Sequence, residues 1–167
     1  MSRVLVSILN WNGSENTIRC VRSIQQGLLE ESVHKVHIRV IDNGSHPAEV
    51  TLLKDAGLEG VELVYNPVNT GFTGGQNDNI RYALDNRFDF VWMLNNDTLV
   101  PPGTMDRILS YFAEDARCGA VSPLIVRMGN EEQVDFCGAV HDWAQIDTFR
   151  PASFDEAPAF LQRYRDR

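Results

Sequence analysis

The sequence has no apolar run approaching the roughly 18 residues that a membrane-spanning helix needs, which sets that class aside. Positive charge is scarce: 15 Lys and Arg stand against 23 Asp and Glu, a formal charge of −8. Holding a nucleic-acid backbone takes a basic surface, so nucleic acid is excluded as a partner, although a few local cations suffice for a small phosphorylated ligand. Cysteine is sparse as well. Cys20, Cys118 and Cys137 are odd in number, far apart and outside any paired metal spacing, so they read as reduced, buried thiols. There is no internal repeat and no low-complexity stretch. The Walker lysine and the G-x-G-x-x-G spacing, two familiar phosphate-binding signals, are both missing. The N-terminal MSRVLVSIL leads into NWNG without a small-residue cleavage site, so it reads as a core strand and the expected compartment is the cytosol.

What is present suits one globular core, because 43% of the 167 residues are hydrophobic. Val4 to Leu9 is an almost unbroken apolar run, the pattern of a parallel strand covered on both faces. Ser14 is placed to cap a helix whose inner stripe is Ile18, Val21, Ile24 and Leu28. Val36 to Ile41 reads as the next strand. Pro47 opens a second helix with Leu52, Leu53 and Ala56 inside and Gly57 as its stop. Val61 to Tyr65 is a third strand. It runs into NPVNTGFTGGQNDN, where glycine and asparagine argue against a regular element at the start, and only Ile80, Ala83 and Leu84 mark a short helix. Phe88 to Leu94 is a fourth strand, with Phe90 and Trp92 in its core. Met105, Ile108, Leu109 and Phe112 line the helix after it, and Ala120 to Val126 reads as a fifth strand. Beyond Met128 the pattern weakens to a strand at Val134 to Cys137 and, from Asp142 onward, a linker or arm. Strands alternating with helices predict an α/β fold with a three-layer, mostly parallel sheet and right-handed crossovers.

In such sheets ligands lie beyond the carboxyl ends of the strands. Three of those ends here are NWNG, DNGS and NND. Asp97, with amide oxygens beside it, suits a hard cation such as Mg²⁺ or Mn²⁺, which takes one or two protein carboxylates when a diphosphate supplies other ligands. A capped turn before PPG explains the same tripeptide without any ligand. Asp42 can accept from a ribose hydroxyl or a base imide, or can form an Asx turn leading to Gly44. Gly71, Gly74 and Gly75 let backbone approach a ligand closely. The four histidines, His34, His37, His46 and His141, share no helical spacing and read as satisfied or exposed side chains rather than metal ligands.

Taken in order, SILNWNG, VIDNGS, NPVNTGFTGGQNDNIRYAL and WMLNNDT resemble the rhamnosyltransferase-like branch of the inverting family 2 glycosyltransferases, which have the GT-A, Rossmann-like fold of nucleotide-diphospho-sugar transferases. The resemblance covers about the first 127 residues. It implies a donor-binding domain at 1–127, with 128–167 a strand and irregular segment opening an acceptor-side region. It also implies a UDP- or dTDP-activated donor and a glycan or lipid-linked acceptor. Asn10, Trp11 and Asn12 would border the base, and Asp42 would bind base or ribose. Asn69, Gly71 and Gly74 would pass along the nucleotide, with Asn77 steadying them. NND stands where the family usually has Asp-x-Asp, so Asn95 and Asn96 would face the donor and Asp97 would bind Mg²⁺ or Mn²⁺. A lipid-linked acceptor would bring the protein to the inner face of the membrane.

The resemblance also exposes a departure. Related enzymes carry the catalytic base in a Glu-Asp motif well after the metal motif, and no convincing equivalent precedes Arg167. FDEAPAF superficially resembles the Phe-Asp-Glu before that motif, but no Glu-Asp follows. Asp135, Asp142, Asp147, Asp155 and Glu156 all read as solvated, so the base is expected to be absent from these residues. Trp143 and Tyr164 can stack on an acceptor sugar or pack a loose tail. Two other readings follow: a non-catalytic nucleotide-sugar-binding module, which the missing base favours, and a sugar-phosphate nucleotidyltransferase, which NWNGSENT disfavours by lacking a glycine-rich basic loop.

Overall fold

The computed structural model describes residues 1–28, 33–138, 140–142, 147–149 and 155–156. The chain divides into two compact units, Met1–Asp106 and Arg107–Arg167. In the first, β1 (Arg3–Asn10), α1 (Ser14–Leu28), β2 (Lys35–Asn43), α2 (Pro47–Asp55), β3 (Val61–Asn66), α3 (Gly71–Asp85) and β4 (Phe90–Asn95) follow one another. The four strands form one sheet in the order β3-β2-β1-β4. Every pairing is parallel, and Asn10 stands level with Asp42, which stands level with Tyr65.

The pleat sends alternate side chains of β1 to opposite layers. Val6 and Ile8, with Ile38 and Val40 of β2, meet Ile18, Cys20, Val21 and Ile24 of α1 and Leu53 of α2 in one buried cluster. Burying each such aliphatic side chain stabilises the fold by roughly 1.5–3 kcal/mol. On the other face Ser7 meets Gln76 and Asn79 of α3. Helices therefore cover both sides, and the apolar continuity of β1 follows from that. No helix among the described residues is long and apolar enough to cross a membrane.

Several elements differ from the sequence reading. The third helix begins inside the glycine run and has 15 residues, because packing against β1 overrides the weak helix propensity of glycine. Leu84 is 72% exposed and Leu52 40%, so neither lies on an inner face. Ser14 sits within the first turn of α1, and its hydroxyl donates to Glu49 O at 2.9 Å rather than capping the helix.

The helix α4 (Thr104–Glu114) starts at the end of the first unit. In the second unit β5 is only Ile125–Arg127, shorter than the expected strand from Ala120, since Pro123 cannot donate to a ladder. It pairs antiparallel with β6 (Asn130–Phe136). Two short strands, β7 (Val140–Asp142) and β8 (Asp147–Phe149), pair antiparallel where a linker was expected. Trp143 and Tyr164 lie outside the described residues.

Candidate functional site

The parallel register brings the ends of β1, β2 and β4 to one edge of the sheet, where a cleft of about 420 Å³ opens. That volume falls within the range of small-molecule sites. It is lined by Leu9, Trp11, Asn43, Asn69, Gly71, Phe72, Leu94, Asn95 and Asn96, so the three polar loops do converge. Trp11 and Phe72 are 58% and 60% exposed.

Two buried asparagines hold the strand ends and loops together. Asn10 is fully buried: its side-chain nitrogen donates to Asp42 Oδ2 at 2.7 Å, and its Oδ1 accepts from Thr17 Oγ1 at 2.8 Å. Asn43, 1% exposed, donates to Asn69 Oδ1 at 2.9 Å and Gly71 O at 3.1 Å. Its own Oδ1 accepts from Asn66 Nδ2, Thr70 N and Thr70 Oγ1. One side chain thus fastens the loop between β3 and α3 to the end of β2. Sequence reasoning missed Asn43, because its partners are 23 to 28 residues away. The signal was there in Asn66 and Asn69, spaced like rungs of one loop.

Asp42 is 1% exposed, and its Oδ1 accepts from Ser45 N at 3.0 Å, three residues on rather than the two of an Asx turn closed at Gly44. Beside it the Tyr65 hydroxyl is buried without a partner among the described residues. Burial, and then the charge of Asp42, hold that phenol above its ordinary pKa. Gly44, at φ +78°, is required here: a Cβ would meet Asn69 N and Val68 C at 2.6 Å. Asn12, itself at φ +52°, donates from its backbone to Ser45 Oγ and accepts from His46 N, both at 2.8 Å.

The glycine run serves the chain's own packing first. Gly75 lets α3 lie against Leu9, where a Cβ would collide with that side chain. Gly74 sits over Thr70, and Gly71 opens on the cleft. Asn77 is exposed on α3, while its neighbours Gln76 and Asn79 are buried. The Thr70 hydroxyl donates to Asn43 at 3.0 Å rather than capping the helix, so the start of α3 faces the cleft with its positive dipole end.

At the tip of β4 the carbonyl of Asn95 accepts from Thr98 Oγ1 at 2.6 Å, and Cys20 Sγ donates to the same oxygen at 3.7 Å. Burial above all, and the neighbouring Asp97, push the Cys20 thiol up to about 11, so it is protonated at neutral pH. Asp97 is exposed and forms no ion pair among the described residues. No group of three or more His, Cys, Asp or Glu gathers around an ion site among the described residues. A lone accessible carboxylate beside amide oxygens suits a cation whose other ligands are substrate oxygens and water. His37 is taken up by Glu62 at 2.8 Å. Of the carboxylates weighed as a base, Asp135, Asp155 and Glu156 are exposed, and the side chains of Asp142 and Asp147 lie outside the described residues.

A profile described as "Glycosyl transferase family 2" matches residues 5–143. The chain belongs to glycosyl transferase family 2. Among solved structures, the crystal structure of S. aureus TarS, residues 1–349, superimposes with a TM-score of 0.50 at 16% identity. It covers 67% of this chain and 32% of that one, so this chain spans about a third of the length of that relative. At that identity the likeness speaks for the fold alone. No curated protein sequence matches. The mostly parallel α/β sheet is the GT-A fold of this family.

Proposed function

We propose that this chain carries the donor half of a glycosyltransferase that moves a hexosyl group, of the rhamnosyltransferase-like kind, from UDP or dTDP to a glycan or lipid-linked acceptor with inversion. The carrying observation is the 420 Å³ cleft that unites the NWNG, DNGS and NND strand ends in one polar, aromatic-flanked site. On this reading residues 1–127 bind the donor and 128–167 begin the acceptor side.

Trp11 and Asn12 border the base, and Asp42 takes base or ribose through the lone pairs that Asn10 and Ser45 leave unused. Asn69, Gly71 and Gly74 form the loop along the nucleotide, whose diphosphate the N-terminus of α3 favours electrostatically, and Asn77 steadies that loop. Asn95 and Asn96 face the ribose or sugar. Asp97 would hold Mg²⁺ or Mn²⁺, which when bound would neutralise charge on the leaving diphosphate. Inversion then needs one displacement, with a carboxylate on the opposite face accepting the acceptor's proton. A lipid-linked acceptor would place this at the inner face of the cytoplasmic membrane.

Calorimetry with UDP and dTDP tests the reading. Affinity should rise with Mn²⁺ or Mg²⁺ over chelator in the parent protein, and Asp97→Ala should abolish most of that rise. Asp42→Ala should weaken nucleotide binding even in chelator. Equal affinity with and without metal in the parent would remove Asp97 from its role. Transfer of labelled sugar to an acceptor pool separates an enzyme from a non-catalytic binding module.

A further inference from the structure

The side chain of Asn96 is held from beneath. Its nitrogen donates to Thr17 Oγ1 at 3.0 Å, with Gly13 O at 3.3 Å and Asn10 Oδ1 at 3.4 Å as further acceptors. The Thr17 hydroxyl in turn donates to Asn10 Oδ1 at 2.8 Å, and Asn10 Nδ2 donates to Asp42 Oδ2 at 2.7 Å. Asp42, Asn10 and Thr17 are each no more than 1% exposed. The result is an unbroken line of side chains, Asp42, Asn10, Thr17 and Asn96, across the ends of β2, β1, α1 and β4. Its last member adjoins Asp97.

Buried polar chains of this kind stiffen what they join, because each bond polarises the next and a broken link leaves desolvated groups unpaired. Thr17 is the member on which continuity depends. It comes from a helix rather than a strand end, and its single oxygen accepts from Asn96 and donates to Asn10 Oδ1 at 2.8 Å, the nearer of two acceptors, with Gly13 O at 3.1 Å the other. The other bond from Asn96 to Asn10, at 3.4 Å, is long for an N–H···O hydrogen bond.

We propose that Thr17 is a positioning residue that couples Asp42, beneath the end of β2, to the turn after β4 that carries Asp97. This rests on the donor-site reading and deepens it. With the hydroxyl present, the turn carrying Asp97 is fixed in the position set by Asp42; without it, the turn relaxes and the carboxylate is no longer pre-placed for the cation it would hold.

The test compares Thr17→Val, which keeps shape and loses the hydroxyl, with Thr17→Ser, which keeps the hydroxyl. UDP binding is measured by calorimetry in Mn²⁺ and in chelator. Thr17→Val should cut the metal-dependent gain, the ratio of affinity in Mn²⁺ to affinity in chelator, about tenfold, equivalent to about 1.4 kcal/mol. Thr17→Ser should restore the gain. In the metal-free protein, amide hydrogen exchange at Asn96 and Asp97 should quicken about tenfold in Thr17→Val and not in Thr17→Ser. A full metal-dependent gain in Thr17→Val, or unchanged exchange at those amides, overturns the proposal. Were the parent to bind UDP without regard to metal, the donor-site reading would fall, and the exchange measurement would still decide whether Thr17 braces the turn.

Discussion

Two residues in the candidate site are fixed by constraints of different kinds. Gly44 combines a positive φ of +78° with a backbone wall at 2.6 Å, and backbone cannot step aside as a side chain can. Gly44→Ala should therefore destabilise the protein by at least about 3 kcal/mol, read by urea unfolding. A cost below about 1 kcal/mol would show that the turn shifts freely. Cys20 is fixed by burial, which with Asp97 nearby lifts its pKa to about 11 from an ordinary 9. Only the thiolate reacts, so at pH 8 the lifted pKa alone should slow alkylation about a hundredfold against the unfolded chain, and burial should slow it further. Iodoacetamide with mass-spectrometric readout checks this. Equal rates in folded and unfolded protein would mean that α1 opens easily next to the Asp97 turn.

At the scale of elements, α3 shows what the sequence could and could not disclose. Strands β1 and β2 were legible because a sheet covered on both faces needs continuous apolar runs, and the three site loops were legible because they follow those strands. The start of α3 was hidden, since glycine punctuates loops locally and only tertiary packing on Leu9 makes Gly75 helical. Asn43 and Thr17 were hidden for a related reason: their decisive partners, Asn69 and Asn96, are distant in sequence. The underside of α3 carries a polar ladder that no local pattern announces. Arg39 reaches Asn79 at 2.6 Å and Glu62 at 3.0 Å, and its guanidinium lies 4.4 Å from the Tyr82 ring centre. Burial alone would raise the pKa of Glu62, but hydrogen bonds from His37, Arg39 and Tyr82 together outweigh it and hold the carboxyl below its usual value. A depressed folded pKa stabilises the protein above the unfolded value, near 4.5, and this contribution is lost as pH falls through the folded value. Glu62→Gln should thus lower stability at pH 7 and flatten its decline below about pH 4.5, measured by urea titration at several pH values. Parallel decline in parent and variant would assign the acid sensitivity elsewhere.

For the whole molecule the decisive fact is where the site lies along the chain. Every proposed donor contact, from Asn10 to Asp97, falls within the unit Met1–Asp106, and so does Trp92, which packs against the buried cluster. A ligand that binds only the folded state stabilises it by an amount fixed by concentration over dissociation constant, about 2.7 kcal/mol at a hundredfold excess over Kd. For a unit of this size that corresponds to a rise in melting midpoint of roughly 10 to 20 °C. Unfolding followed by tryptophan fluorescence should therefore shift upward by that amount with UDP and Mn²⁺ at saturation. The shift should be distinctly smaller with UDP in chelator, and should shrink to the chelator value in Asp97→Ala whatever the metal. The net charge of −8 sharpens the comparison, because a protein this acidic attracts divalent ions nonspecifically and Mn²⁺ alone gives the baseline to subtract. A shift with UDP and Mn²⁺ no larger than the sum of the two separate shifts would mean that metal and nucleotide do not share a site, and the NND turn would then be a structural cap on β4.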